Sequence, residues 1–233
     1  MARSFYFCFS FFLWICTEPI MAKPMSRVTP KQNRAIQTRE SILAVSKALI
    51  IEVGALNFQM AEVSQRTGLS IGSIYKYFSN KEAIFQELAK DHLSRLRKIL
   101  FEELLRHRDV REPSISIPKS VDGIIDRFFE FYQSDRSFRE IWSISQVSIE
   151  LIKLDKKDSK ENAKLVSRAL SDLPKGKESL PVEEIAFFLC DTTGYVLRSA
   201  LDYPQKKATQ IKDDWKFLLK HYLLSKFPPE TNP

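Results

Sequence analysis

The chain has 233 residues, 44% hydrophobic and 28% charged, which is enough for a sizeable core and unlike a disordered or collagen-like chain. Lys and Arg number 36 against 29 Asp and Glu, a formal net charge of +7 that suits an anionic partner. Glycine is scarce, with 6 residues, and no G-x-G-x-x-G or G-x-x-x-x-G-K-[ST] occurs, which argues against the phosphate-cradling loops of Rossmann and P-loop enzymes. The cysteines Cys8, Cys16 and Cys190 form no C-x-x-C pair and fit a reducing, cytoplasmic compartment better than a disulfide framework.

Residues 5–16 are apolar at every position but Ser10 and follow a lone Arg3. Their length suits the apolar part of a secretory signal, but no small-residue A-x-A site follows, and the segment is shorter than the roughly 20 residues that span a bilayer. Residues 1–22 are therefore read as an apolar extension from a start codon placed ahead of Met21 or Met25. A signal-like segment is the alternative, and no membrane partner is expected.

A basic polar tail over 23–35 precedes the first helical pattern, from about Thr38 to Val53, with Ile42, Val45, Leu49 and Val53 as its apolar stripe and Gly54 as its stop. A short helix over Gln59–Thr67 and another over Ser70–Phe78 flank Gly68. Ser79-Asn80-Lys81-Glu82 reads as a capping box opening a long helix that buries Ile84, Phe85, Leu88, Leu96, Ile99 and Leu100. Residues 108–119, with Pro113 and Pro118, read as a loop. Helical stretches are expected near 120–134, 136–154, 157–172, 181–202 and 208–226, and the alternating charges of Lys153–Lys164 read as a solvated helix face.

The two short helices carry the functional signal. Gly68-Leu69-Ser70 supplies a tight turn, because glycine accepts the left-handed backbone of a sharp reversal and Ser70 can cap the following helix. This is a helix-turn-helix, whose second helix enters the DNA major groove. Ile74 and Phe78, four apart, belong to a small core, while Ser73, Lys76 and Tyr77 offer hydroxyl and ammonium groups to bases and phosphates. Gly72 keeps the helix start slim, and Lys81 falls where the free N–H groups of the next helix favour a phosphate.

The run Gly68-Leu69-Ser70-Ile71-Gly72-Ser73-Ile74-Tyr75-Lys76-Tyr77-Phe78-Ser79-Asn80-Lys81-Glu82, preceded by Gln59-Met60-Ala61-Glu62-Val63-Ser64, resembles the DNA-binding domain of TetR/AcrR-type transcriptional regulators. Every position of the signature G-[VL]-S-x-G-[ST]-[LI]-Y-x-[HY]-F-x-[STN]-K-E is matched, and the resemblance covers residues 36–96. Gln59 departs from it, because many members carry Thr or Ser as that helix's cap. The resemblance implies an all-α chain: an N-terminal three-helix DNA-binding domain at 36–96, with its motif at 59–78, then a helical-bundle ligand-binding and dimerisation domain at 97–233. It also implies a homodimer on a palindromic double-stranded operator, released by a small-molecule effector, with no catalysis and no cofactor. Carried onto this sequence, Gln59, Ser70, Ile71 and Gly72 lie against the backbone and groove edge. Ser73 and Lys76 face bases, and Tyr75, Tyr77 and Lys81 hold phosphates. The alternative is a helical ligand- or partner-binding protein of the same fold that does not bind DNA.

Other residues yield bland readings. His92, His107 and His221 lack metal-ligand spacing and read as solvated or partly buried, so no metal is expected. Asp213-Asp214 with His221 lacks a nucleophile, and Cys190 sits in an apolar run as an inert core thiol. In the C-terminal part the aromatic-rich helices suggest Phe131, Trp142, Gln146 and Tyr195 as pocket residues. Phe188, Thr192, Trp215, Leu218 and Tyr222 on the last two helices suggest a four-helix dimer interface. Residues 23–98 hold 13 Lys and Arg against 6 Asp and Glu, whereas 99–233 hold 22 of each, so the basic excess lies wholly in the DNA-binding head and its tail.

Overall fold

The computed structural model describes residues 30–106, 116–145, 147–176 and 181–229. Its elements among these residues are nine helices: α1 (Pro30–Val53), α2 (Met60–Thr67), α3 (Ile71–Tyr77), α4 (Lys81–Arg106), α5 (Ile117–Ser134), α6 (Arg136–Ser143), α7 (Ile149–Ser171), α8 (Val182–Ala200) and α9 (Gln205–Lys226). The all-α expectation holds. The chain divides into two units, Met1–Glu40 and Ser41–Pro233. In the first, the described residues are the opening turns of α1, where Thr38 Oγ1 donates to the Arg34 carbonyl at 2.8 Å. The apolar extension and most of the basic tail lie outside the described residues.

Several helix boundaries differ from the sequence reading, each for a local reason. α1 begins at Pro30 rather than near Thr38, since proline is suited to a first turn and nothing between it and Val53 breaks a helix. Asn80, not Ser79, caps α4, with its Oδ1 accepting from the Ala83 amide at 2.9 Å. Helix α5 starts at Ile117 with Pro118 in its first turn, so the expected loop ends three residues earlier. The stretch expected over 136–154 is broken: α6 stops at Ser143, and Ser148 starts α7 by accepting from the Leu151 amide at 3.3 Å. No break follows near 155–156, and the alternating charges lie within one helix of 23 residues.

From Ser41 onward one hydrophobic cluster runs through the unit. In the head it includes Ile42, Leu49, Ile50, Phe58, Val63, Ile74 and Phe85, with the Phe58 and Phe85 rings edge-on at 5.3 Å. Helix α4 runs unbroken from Lys81 to Arg106 and is buried along its length, from Ile84 to Leu100. The expected boundary between residues 96 and 97 therefore falls inside a continuous helix. α9 is held on α5 by a ladder in which Lys212, Lys216 and Lys220, one turn apart, pair with Asp126 and Asp122 at 2.8–3.3 Å.

Candidate nucleic-acid interface

The turn between α2 and α3 is built as its sequence dictates. Gly68 has φ +69°, a conformation that would strain any residue with a Cβ. Ser64 Oγ donates to the Leu69 carbonyl at 2.5 Å and Thr67 Oγ1 to the Val63 carbonyl at 2.8 Å, which ties the reversal to α2. Ser70 caps α3, its Oγ accepting from the Ser73 amide at 3.2 Å, and the two serine hydroxyls lie 2.8 Å apart.

Helix α3 then divides by face. Ile74 and Phe78 are buried, as expected, and Tyr77 packs partly against the core. Ile71 and Tyr75 are 41% and 49% exposed, Gly72 and Lys76 are exposed, and Ser73 is half-buried. No described atom lies within 4 Å of where a Gly72 Cβ would project, so this residue is not explained by internal packing. Gln59 is exposed and makes no side-chain cap bond on α2. Lys81 stands in the first turn of α4, immediately after the Asn80 cap.

Charge partners sharpen the set. Among the described residues no carboxylate pairs with Lys76 or Lys81. Several other basic residues of α1, α2 and α4 are committed: Arg66 to Glu52 and Glu62 at 2.6 and 3.2 Å, Lys47 and Arg95 to Asp135 at 3.2 and 2.8 Å, and Arg97 to Asp158. The Arg66 bond holds the Glu52 carboxyl below its ordinary value. Helix α3 and the helix after it thus each present a lysine with no acidic partner among the described residues.

No local pattern in the chain announces the buried polar knot where α4 meets the α5–α6 corner. Asp135 caps α6 by accepting from the Phe138 amide at 3.1 Å and also accepts from the Ser137 hydroxyl at 2.6 Å. Its other oxygen holds Lys47 of α1 and Arg95 of α4. Burial opposes ionisation of Asp135, but Ser137, Arg95, His92 and the Phe138 amide outweigh it and hold the carboxyl well below the usual range. His92, expected to be solvated or partly buried, is fully buried, and burial pushes it down to about 4. Its Nε2 lies 3.0 Å from Ser137 Oγ. Because that hydroxyl gives its proton to Asp135, the neutral ring donates through Nε2. Serine, histidine and aspartate meet here, but Ser137 and His92 are fully buried, so the trio is a structural clamp. Arg136 extends it by donating to the Ile51 carbonyl at 3.2 Å.

The proposed pocket residues disperse. Phe131 sits in an aromatic cluster, its ring 5.7 Å from Phe138 and 4.8 Å from the Arg95 guanidinium above it. Trp142 and Tyr195 line a cleft of about 1130 Å³, and Gln146 lies outside the described residues. The same cleft takes in Phe188, Thr192 and Trp215, so pocket and interface candidates share one face. A separate, smaller cavity of about 110 Å³ lies among α4, α5, α7, α8 and α9 and is lined by none of the four pocket candidates. On the α8–α9 face Phe188 and Leu218 are 50% and 57% exposed, and the Tyr222 ring lies tilted against Phe188 at 5.9 Å. Trp215 is half-buried and donates to Thr193 at 3.2 Å. Phe217, 58% exposed, was not singled out, because it falls one residue off the stripe read from the sequence. Among the described residues there is no cluster of metal ligands and no helix long and apolar enough to cross a membrane.

Comparison with known proteins agrees with this layout. The family model of bacterial regulatory proteins of the tetR family matches residues 42–88, and that of the tetracyclin repressor-like C-terminal domain matches residues 115–227. The chain is 29% identical over 110 residues to the HTH-type transcriptional regulator YdgC of Bacillus subtilis, a match spanning 47% of this chain and 55% of YdgC. It is 25% identical over 190 residues to the HTH-type transcriptional regulator BetI of Proteus mirabilis, across 80% of this chain and 93% of that one. Among solved structures, a TetR-family transcriptional regulator from Pectobacterium atrosepticum superposes with a TM-score of 0.63 at 10% identity, covering 85% of this chain and 98% of that one. One from Streptomyces coelicolor gives 0.59 at 19% identity, covering 80% and 97%. With both halves of the fold matched in order, the chain belongs to the tetR family of bacterial regulatory proteins.

Proposed function

We propose that the protein is a homodimeric transcriptional regulator that reads a two-fold symmetric operator through α3 and is released from it by a small molecule held in its C-terminal helices. Residues 36–96 act as the DNA-binding head and 97–233 as the regulatory and dimerising body. The observation that carries this reading is the division of α3. Ile74 and Phe78 anchor it in the core, while Tyr75 and Lys76 stand outward, and neither Lys76 nor Lys81 has a carboxylate partner among the described residues. Ser73 and Lys76 face base edges. Gln59, Ser70, Ile71, Gly72, Tyr75, Tyr77 and Lys81 lie along the sugar–phosphate backbone. The Ser73 hydroxyl lies 2.8 Å from that of Ser70 and keeps hydrogen-bonding capacity for a base edge beside that contact. Phe188, Thr192, Trp215, Leu218 and Tyr222 join the two copies.

Selection of bound genomic fragments, followed by titration of the selected duplex at several salt concentrations, tests the proposal. The expected result is a palindromic site with half-sites about 34–36 Å apart or a multiple of that. Log K should fall with log salt by roughly 0.9 per phosphate neutralised. Failure to enrich any sequence, together with binding indifferent to salt, overturns the DNA-binding reading.

A further inference from the structure

We infer that the cavity among α4, α5, α7, α8 and α9 takes an uncharged, mainly hydrocarbon effector carrying a single hydroxyl or carbonyl, which bonds to Ser120 Oγ. This rests on the reading of the C-terminal helices as the effector-binding part of a regulator, and it supplies the chemistry of the ligand.

The walls are aliphatic and aromatic, with Leu104, Ile125, Phe128, Val166 and Leu219 drawn from four of the helices. No Asp, Glu, Lys, Arg or His is among the lining residues described. An ion entering would lose its hydration with no counter-charge to replace it, so the site selects neutral molecules. The polar groups in the wall are few and mostly committed. Asn162 accepts from Arg97 Nε at 3.2 Å and donates to Asp158 at 2.7 Å. Thr193 accepts from the Trp215 indole at 3.2 Å. Burial pushes the Cys190 thiol up to about 12, so it stays protonated and is a weak partner.

Ser120 differs. It is 4% exposed, and its hydroxyl has no hydrogen-bond partner among the described residues. Buried hydroxyls are normally satisfied, and one left open beside a cavity marks where a ligand's polar atom belongs. The volume of about 110 Å³ sets the size. A cavity of roughly 150 Å³ holds benzene, so the ligand has about benzene's bulk or less.

Calorimetric titration of the full chain with cyclopentanol, cyclopentanone, cyclopentane, butyrate and cyclopentylammonium tests the inference. The alcohol and the ketone should bind saturably, and the two ions should bind at least tenfold more weakly. Ser120→Ala should weaken the alcohol about 2- to 10-fold, the size of one hydrogen bond, and leave cyclopentane unchanged. Val166→Phe, which fills the cavity, should abolish binding of all neutral probes. If that variant does not fold, the selective effect of Ser120→Ala still decides. Equal binding of the ions, equal weakening of cyclopentane by Ser120→Ala, or no neutral binding at all each overturns the ligand class. Salt-dependent DNA binding measured on the same preparation separates the outcomes. If it persists, only the ligand class falls; if it is absent, the regulator reading falls with it.

Discussion

Lys76 and Lys81 lie five residues apart in different settings, and the proposed reading gives them different contacts. Lys76 is exposed on the recognition helix, whereas Lys81 opens the next helix beside its Asn80 cap. A phosphate carries no base information, so Lys81→Ala should weaken binding to all sequences alike and reduce the salt slope by about one. Lys76→Ala should instead relax preference at one operator position, at a cost of about 1–3 kcal/mol for the cognate base. Titration of both variants against a panel of single-base operator changes distinguishes the roles, and uniform weakening by Lys76→Ala would refute the base contact. A second residue-scale consequence comes from His92, whose folded value of about 4 stands against an ordinary 6.5. Burial lowers it; Asp135 and Asp91 act against that, and Arg95 and Lys47 add to it. As pH falls below 6.5 the unfolded chain binds a proton here and the folded chain does not, so stability drops until about pH 4 and is then flat at this site. The loss between pH 7 and pH 5 is on the order of 2 kcal/mol. Asp135, held low, adds a loss of the same sign, beginning in the ordinary carboxylate range. Urea midpoints measured at pH 7 and pH 5 should fall for the native chain and change far less between those pH values for His92→Asn.

Helix α5 lies against α4 at a point where no side chain fits. A Cβ on Gly123 would collide with the carboxylate of Glu103, a buried group paired with Arg127 at 2.8 Å and Arg106 at 3.1 Å. The carboxylate is the flexible party, but moving it strains those ion pairs. Gly123→Ala should therefore destabilise by about 1–3 kcal/mol, read as a lower thermal midpoint with helix content kept. An unchanged midpoint would show that Glu103 has room to step aside. Local signals made some elements legible in the sequence and left others hidden. Gly68, Ser70 and the Ile74/Phe78 spacing act within a few residues of each other, so the turn and the faces of α3 could be read directly. The break between α6 and α7 carries no glycine or proline; it rests on Ser148 as a cap, and an apolar-periodic reading runs straight through it. The clamp around Asp135 joins α1, α4 and α6 across gaps of 88 and 40 residues, and the cavity draws on five helices. Neither has a linear pattern. Aromatic density pointed instead to Phe131, which packing places in the cluster above Phe138.

In the sequence as a whole, two uneven distributions bear on assembly. The net basic charge lies in residues 23–98, while exposed large apolar side chains gather on α8 and α9, where Phe188, Tyr195, Phe217 and Leu218 are each at least 50% exposed. A contiguous apolar face of this kind usually marks an interface, and a two-fold pairing places the same patch on both copies. The pairing also bears on DNA, because only a fixed dimer can address two half-sites at once. Phe188→Glu combined with Leu218→Glu places charge on that face and replaces two residues that are at least half exposed. Circular dichroism should therefore be unchanged, while sedimentation velocity should show a monomer for the variant and a dimer for the native chain. The monomer should keep salt-sensitive contact with phosphate but lose about half of the slope in log salt, since one head neutralises half as many phosphates as two. Its preference for a palindrome over an isolated half-site should disappear. A doubly substituted chain that still sediments as a dimer would move the interface away from α8 and α9. A monomer that still prefers the palindrome would break the link between this face and operator recognition.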